Sequence, residues 1–546
     1  MNDRTKKGLA CIEAALLLGV VGDALLRATP WGVNVLLWTG ALMLAVVMLA
    51  ARWRAALLRE EGRWLLLPVI FFAAAFAWRD SMTLKSLDFL LLLVSLGLLA
   101  WRAKAYRMRV AGVMEYALEI AYAGATALFA FFPLVLSDIS WKEAHSGRWS
   151  RHAWAVLRGL VIAVPLLAVF GLLFMAADAV FEGIVQNVLH ISFENLFTHL
   201  FLITLFTWIT GGFLRGFVLG KEGSWISGRA PISLGLNTGA SATAGGEGVE
   251  GARNNMVSEL SSKLKMGVVE IGVVLGLVNL LFLSFVVVQV KYFFGGAALV
   301  QASTGLTYAE YARRGFFELV TVAALVLPLL LAAHWLLRKD NPLHERIFRA
   351  LASIQLVLLF VIMASAVGRM RLYQDEYGLT ELRIYTTAFM GWLALVFIWF
   401  ALTVLRGARE RFMCGALVAG FLMVGALHLV NPDALIVRVN MGQAQSGRSF
   451  DAAYVASLSA DSVPALFEAL PAMNHYQQCV VKTSLLRRSG EFASPDWRSW
   501  NRSRAVARRL IEENTGELHE VACPQIVYPP IPATTVTLNS DAHERR

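Results

Sequence analysis

Long apolar runs alternate with short basic or polar stretches along most of the chain. A hydrocarbon core about 30 Å thick takes roughly 20 apolar residues in helix. The runs 157–181, 266–290, 315–337, 351–367, 385–405 and 412–430 meet that requirement, and 8–26, 31–51, 64–78, 87–101 and 112–136 add candidates in the N-terminal third. The pattern predicts an all-α, polytopic transmembrane helical bundle of about 11–12 spans. It divides into N-terminal membrane segments over 1–137 (4–5 spans) and a core membrane domain over 150–430 (7 spans). After residue 430 the hydrophobicity drops, while helical periodicity persists in 451–470 and 497–511. Residues 431–546 therefore read as a small, mostly helical soluble domain, with a disordered end around Tyr528-Pro529-Pro530-Ile531-Pro532.

Charge orients the bundle. Only 16% of residues are charged and they fall mostly between the apolar runs, as expected when a charge in the bilayer costs a few kcal/mol. The net charge of +10 sits in short basic loops such as 102–109, which hold loops in the cytoplasm; it is not a nucleic-acid signature. From residue 150 the positive-inside rule closes. Stretches 138–157, 221–265, 338–349 and 406–411 are basic and read as inside; 182–195, 291–314, 369–383 and the tail read as outside. Within the first of the long inner loops, 221–262, the Gly/Ser/Ala/Thr-rich stretch 235–251 reads as flexible. The first third does not close: five crossings cannot leave both 1–7 and 138–157 inside. One segment is then interfacial or re-entrant, and 112–136 is the candidate, with Glu115, Glu119 and the breaks Gly124 and Pro133. At the N-terminus, Lys6-Lys7 precede an apolar run holding Glu13 and Asp23 and no small-x-small cleavage site, which reads as an uncleaved span.

Four polar clusters fall on the outer face. Met175 to Glu182 places Asp178 one turn inside a span end. Gly305 to Gly315 holds Thr307 and Glu310 in capping-box spacing, with Tyr308 and Tyr311 at headgroup depth; Arg313, Arg314 and then Glu318 follow. Tyr373-Gln374-Asp375-Glu376-Tyr377-Gly378-Leu379-Thr380 leads into Glu381 and another span, with Thr380 as a candidate N-cap. His428-Leu429-Val430-Asn431-Pro432-Asp433 ends the last span. Asp178, Glu310, Arg313, Arg314, Glu318, Tyr373, Asp375, Glu376 and Tyr377 form the candidate polar site; separate interfacial caps are the alternative. Within the membrane, Glu270 lies one turn from an inner end, where it can snorkel, and Asn279 suits a hydrogen bond to a neighbouring helix. Gly212, Gly216 and Gly220, like Gly272 and Gly276, have the spacing that lets helices approach closely.

Cys11 and Cys414 lie in apolar runs and read as small hydrophobes. Cys479 and Cys523 lie in the tail, where a disulfide between them fits an oxidising compartment and reduced thiols fit the cytoplasm. No Walker phosphate loop, Gly-x-Ser-x-Gly elbow, His-Glu-x-x-His or Cys-x-x-Cys is present, so no catalytic residue, metal or cofactor is expected. His190 and His199 have no good metal spacing.

The phrases Ala176-Ala177-Asp178-Ala179-Val180-Phe181, Leu306-Thr307-Tyr308-Ala309-Glu310-Tyr311-Ala312-Arg313-Arg314-Gly315-Phe316, the Arg371 to Tyr385 stretch and Val430-Asn431-Pro432-Asp433-Ala434 resemble a family of bacterial polytopic membrane proteins. That family is catalogued only as a domain of unknown function. Leu458-Ser459-Ala460-Asp461-Ser462-Val463-Pro464 and Asp496-Trp497-Arg498-Ser499-Trp500-Asn501 are similar to its C-terminal part. The resemblance covers roughly 155–510; where the family usually has proline after the first acid, this chain has Ala179. It implies a bacterial inner-membrane location and no activity.

The functional expectation is transport or permeation of a small polar or ionic solute through an outward-facing polar site. The alternative is an envelope sensor or assembly scaffold whose periplasmic tail binds a protein partner through Trp497 and Trp500, set among Arg498, Arg502, Arg504, Arg508 and Arg509. Those aromatics also read as the core side of an ordinary amphipathic helix. A membrane enzyme with Glu310 or Asp178 as general base is a third reading, with no second catalytic partner to name.

Overall fold

In the computed structural model the described residues are 2–53, 62–102, 113–141, 193–219, 266–304, 316–338, 341–493 and 496–519. Among them, nine helices are long and apolar enough to cross a membrane. They are α1 (Asp3–Leu26), α2 (Val33–Arg52), α4 (Met82–Arg102), α6 (Phe193–Val218), α7 (Val268–Thr304), α8 (Phe316–Leu336), α9 (Pro342–Tyr377), α10 (Glu381–Thr403) and α11 (Phe412–Val430). Between α2 and α4 stands a shorter apolar helix, α3 (Leu66–Trp78). The chain is thus an all-α multi-pass membrane bundle. The predicted span 157–181 and the loop 221–262 lie outside the described residues.

The bundle has a basic end and a tail end. At the basic end Arg4, in the first turn of α1, and Arg215, in the last turn of α6, both bind Asp138. At the tail end, α3 turns into α4 and α11 runs into the soluble tail, and Arg79 of the turn bonds the carbonyl of His428 in α11. The alternation places the starts of α6, α8 and α10 at the tail end with the end of α9, where the charge pattern puts the outer loops.

Segment α5 (Val113–Phe129) bends by 50° into Phe131–Asp138. Near its start, Tyr116 is buried against Leu98 of α4, with Leu65 and Met413 alongside, all near the basic end. Its continuation terminates in Asp138, clamped by Arg4 and Arg215 at the same end. In between, it leans on glycines of α6: a Cβ on Gly212 would lie 2.3 Å from the Ala127 carbonyl, and one on Gly211 2.7 Å from the Phe131 ring. Both ends of the segment thus contact residues near the basic end, the arrangement that a re-entrant segment would have. The small-residue expectation holds for Gly212 and Gly216, which meet Thr126 and Ala127, but not for Gly272 and Gly276, which have open space around them.

Buried side chains fall into two membrane lobes. One gathers α1–α4 and α6, and includes Val424 of α11; the other gathers α7–α10 and includes Phe412 and Ala416 of α11. Helix α11 thus serves both. Asn279 of α7 donates to the Leu351 carbonyl of α9, 3.0 Å away, as expected of a polar group between spans. Glu270 instead turns back to accept the Gly267 N–H, capping its own helix.

The described tail comprises α12 (Pro432–Gln445), α13 (Ala452–Ser457), α14 (Val463–Ala469), α15 (His475–Phe492), α16 (Arg502–Glu513) and α17 (Thr515–His519). Three of the starts carry a recognisable signal: Pro432 at the first turn of α12, a capping box between Asn474 and Gln477 on α15, and Asn501 as N-cap of α16. Its core of Val455, Val463, Leu466, Val481, Leu485 and Ala507 continues into Leu84 of α4, Ile384 of α10 and Leu427 of α11. Each such fully buried Val or Leu is worth about 1.5–3 kcal/mol, so the tail core is anchored on three of the spans.

Candidate functional site

Helix α3 has 13 residues and so spans about 20 Å, well short of a hydrocarbon core. Its last carbonyls and the first N–H groups of α4 consequently come out beneath the tail, where water cannot bond them freely, and each needs a partner. The tail supplies them. Asn501 Nδ2 donates to the carbonyls of Phe76 (2.8 Å) and Arg79 (2.9 Å), and Ser503 Oγ to that of Trp78 (2.9 Å). The Asp461 carboxylate accepts the N–H groups of Asp80 (2.7 Å) and Ser81 (2.9 Å). Arg79 Nη1 donates to Asp461 at 3.4 Å, and Ser503 Oγ lies within bonding distance of both the Asp461 carboxylate and the Trp78 carbonyl, its one proton serving one of them at a time. Arg79 also donates through Nε to the His428 carbonyl at 2.9 Å. A cavity of about 130 Å³ opens at this seam, lined by Arg79, Asn431, Asp461, Arg502 and Ser503 among others.

Beside it lies Asp433, in the first turn of α12. Ser459 donates to its Oδ2 through both N–H and Oγ, while Oδ1 has no partner. Burial pushes its carboxyl up to about 7; Ser459 opposes the rise, and the nearby carboxylates of Glu381 and Asp461 add to it. The tail also touches the second lobe: Asn440 exchanges bonds with the backbone of Leu379, and the Tyr454 hydroxyl accepts the Glu381 N–H at 2.9 Å. Thr380 occupies the N-cap position of α10 as expected, but its side chain makes no capping bond; Tyr454 does that from the tail.

Within the bundle, below the turn, Asp88 of α4 and His428 of α11 form a pair, Oδ1 to Nε2 at 2.8 Å, both at 0% exposure. Trp78 stacks on the imidazole at 5.8 Å, and Phe71 meets it edge-on at 5.9 Å. Asp88 Oδ2, His428 Nδ1 and Trp78 Nε1 are buried and unpartnered. The contrast with Asp138 is chemical. Asp138 is held by two guanidiniums, and Asp461 by two backbone N–H groups and a guanidinium, whereas Asp88 has a single bond, to an imidazole. Such a pair can store and pass one proton in an apolar setting.

Of the residues expected at the polar site, Asp178, Glu310, Arg313 and Arg314 lie outside the described residues, as does Cys523. Glu318 stands exposed in the first turn of α8. Tyr373 and Tyr377 pack at 5.0 Å, and Arg383 sits 4.1 Å over the Tyr373 ring; Asp375 and Glu376 are exposed beside them. These residues make an exposed edge at the tail end. The fourth cluster, His428 to Asp433, is the one drawn into the buried network. Asp88, Arg79 and Asp461 were not singled out, although Asp88 is a lone acid in an apolar run and Asp461 lies in one of the quoted phrases. Cys479 is buried in α15 and disulfide-bonded; Cys11 and Cys414 are free. His199 bonds Asp23 at 2.5 Å, and among the described residues no group of three His, Cys, Asp or Glu side chains could hold a metal ion.

Neither a curated protein nor a solved structure matches this chain. A family match does cover most of it, from the start of α3 through α14, and so takes in Arg79, Asp88, His428, Asp433 and Asp461. It begins well before the stretch on which the resemblance rested and stops short of the Asp496 to Asn501 phrase. The chain belongs to the family described as Domain of unknown function (DUF4153), matched over residues 66–469.

Proposed function

We propose that this is a bacterial inner-membrane protein, its tail on the periplasmic side, that moves protons, or a small polar solute together with a proton, through a path opening at the tail end. Asp88 and His428 carry the exchangeable proton. One observation supports this reading above the others: the pair sits on two different spans, fully buried, with one polar atom of each left without a partner. Ionisable groups at membrane depth are expensive, and unlike Asp138 this carboxylate is not saturated by cations. The Asp433 carboxyl, raised to about 7 by burial, is a second titratable group on the tail side of the pair.

Purified protein in liposomes with an entrapped pH dye, driven by a potassium diffusion potential, tests the proposal. Wild type is expected to carry protons well above protein-free liposomes, and Asp88→Asn and His428→Gln, reconstituted as folded protein at a temperature below their melts, to lose that flux. No flux from wild type, or wild-type flux from both variants, removes the proposal.

The sensor or scaffold reading draws on the exposure of Trp497 and Trp500. Deleting 440–546 does not separate the two readings, because it strips the α3–α4 turn of Asn501, Ser503 and Asp461. Point variants at Asp88 and at the tryptophans do.

A further inference from the structure

Trp497 and Trp500 were expected either on a partner surface or in the core of an amphipathic helix. The structure takes them off the helix: Trp497 opens a single 3-10 turn (Trp497–Ser499) and Trp500 follows it, while the amphipathic helix starts after Asn501. Both rings are exposed, 66% for Trp497 and 46% for Trp500. Exposing two indoles to water forfeits a large apolar burial.

The position of the turn indicates what covers them. The Trp500 carbonyl accepts the N–H of Val33, the first residue of span α2, at 2.9 Å. Arg498 donates to the Ala24 carbonyl in the last turn of α1. Gly32 is pressed so closely on the turn that a Cβ there would lie 2.3 Å from the Trp500 carbonyl oxygen. The turn therefore lies at the level where α1 and α2 emerge from the bilayer, the depth tryptophan prefers. Next to Gly32, Trp31 is 39% exposed and packs at 6.2 Å against Phe89, itself 45% exposed on span α4. Exposed aromatic surface on the spans thus ends at Trp31, one residue before Gly32, which the Trp500 carbonyl contacts.

We propose that Trp497 and Trp500, continuing the band begun by Trp31 and Phe89, insert in the headgroup layer at the tail end and fix this edge of the tail to the lipid. This does not depend on the transport reading. Spin labels at Trp497→Cys and Trp500→Cys, with Arg509→Cys on α16 as a water-facing reference, test it in liposomes. The background is Cys11→Ser and Cys414→Ser, which leaves the disulfide intact. Labels at 497 and 500 are expected to show access to a water-soluble nickel chelate reduced severalfold relative to 509, with access to oxygen raised. Equal nickel access at all three sites overturns the proposal and leaves the tryptophans facing water, open to a soluble protein partner. If a cysteine variant does not fold, fluorotryptophan labelling puts the same question to the intact indoles. Trp497→Phe and Trp500→Phe assign the signals, and broadening by doxyl lipid against a gadolinium chelate reads the depth. Broadening by the chelate alone overturns it.

Discussion

Asp461 in the tail accepts the backbone N–H of Ser81, the residue before α4, at 2.9 Å across 380 positions of sequence. A carboxylate at a helix start satisfies an orphan donor and complements the positive end of the helix dipole. This carboxylate also takes the Asp80 N–H and faces the Arg79 guanidinium, so one side chain fixes both a turn and a cation. The tail is thereby part of the first membrane lobe, and through Asn440 and Tyr454 part of the second as well.

Asp461→Ala should cost about 3–5 kcal/mol, the usual loss when one partner of a buried ionic network is removed. Asp461→Asn retains an acceptor and should cost less. Thermal melts in detergent, with limited proteolysis of the tail, measure both; equal losses would show that the charge contributes nothing.

Asp433 should make stability depend on pH in an identifiable sense. Its native pKa of about 7 lies above the unfolded value near 3.9, so between the two the folded protein holds a proton that the unfolded chain has released. The contribution is full at low pH and is lost as pH rises through about 7. Asp433→Asn lacks this titration. Wild type should lose melting temperature relative to the variant between about pH 5 and pH 8.5; a constant difference across that range would contradict it.

Two glycines with similar sequence surroundings should behave oppositely. Gly212→Ala drives a Cβ into the Ala127 carbonyl and should destabilise by about 1–3 kcal/mol, displacing α5. Gly276→Ala meets nothing within 4 Å and should be neutral or gain up to about 1 kcal/mol from helix propensity. Paired melts of the two variants decide whether α5 rests on α6.

Orientation is open to direct labelling in whole cells. Cysteines at Asp375 and Ala453, both exposed at the tail end, should react with an impermeant maleimide, and one at Glu410, beside the start of α11, should not. Reaction at Glu410 alone would invert the topology and put the tail in the cytoplasm.

The spans were legible because the bilayer leaves little choice: an apolar run of sufficient length becomes a helix. Loop charge marks 112–136 as an odd segment, but of the two breaks expected there Gly124 lies inside a continuous helix, and the bend comes at Ala130, before Pro133. The partners of the α3–α4 turn were not legible. Asn501, Ser503 and Asp461 look like local caps in sequence, and Asn501 and Asp461 do sit at local helix starts. Nothing in a linear pattern says that the same side chains also serve Phe76 and Ser81. Thr380 shows the reverse, a correct capping position whose bond is made by Tyr454 from 73 residues away. The tryptophan turn was mistaken for helix because its spacing suits one; Asn501, a strong N-cap, marked the real start.

The order of synthesis gives the borrowed caps a further meaning. The α3–α4 hairpin leaves the ribosome long before Asn501 and Asp461 exist, so for most of translation its turn has unbonded carbonyls and N–H groups at the membrane edge. A chain that stops early keeps that defect permanently. The first lobe is thus closed only once the chain has been made through Asn501 and Ser503.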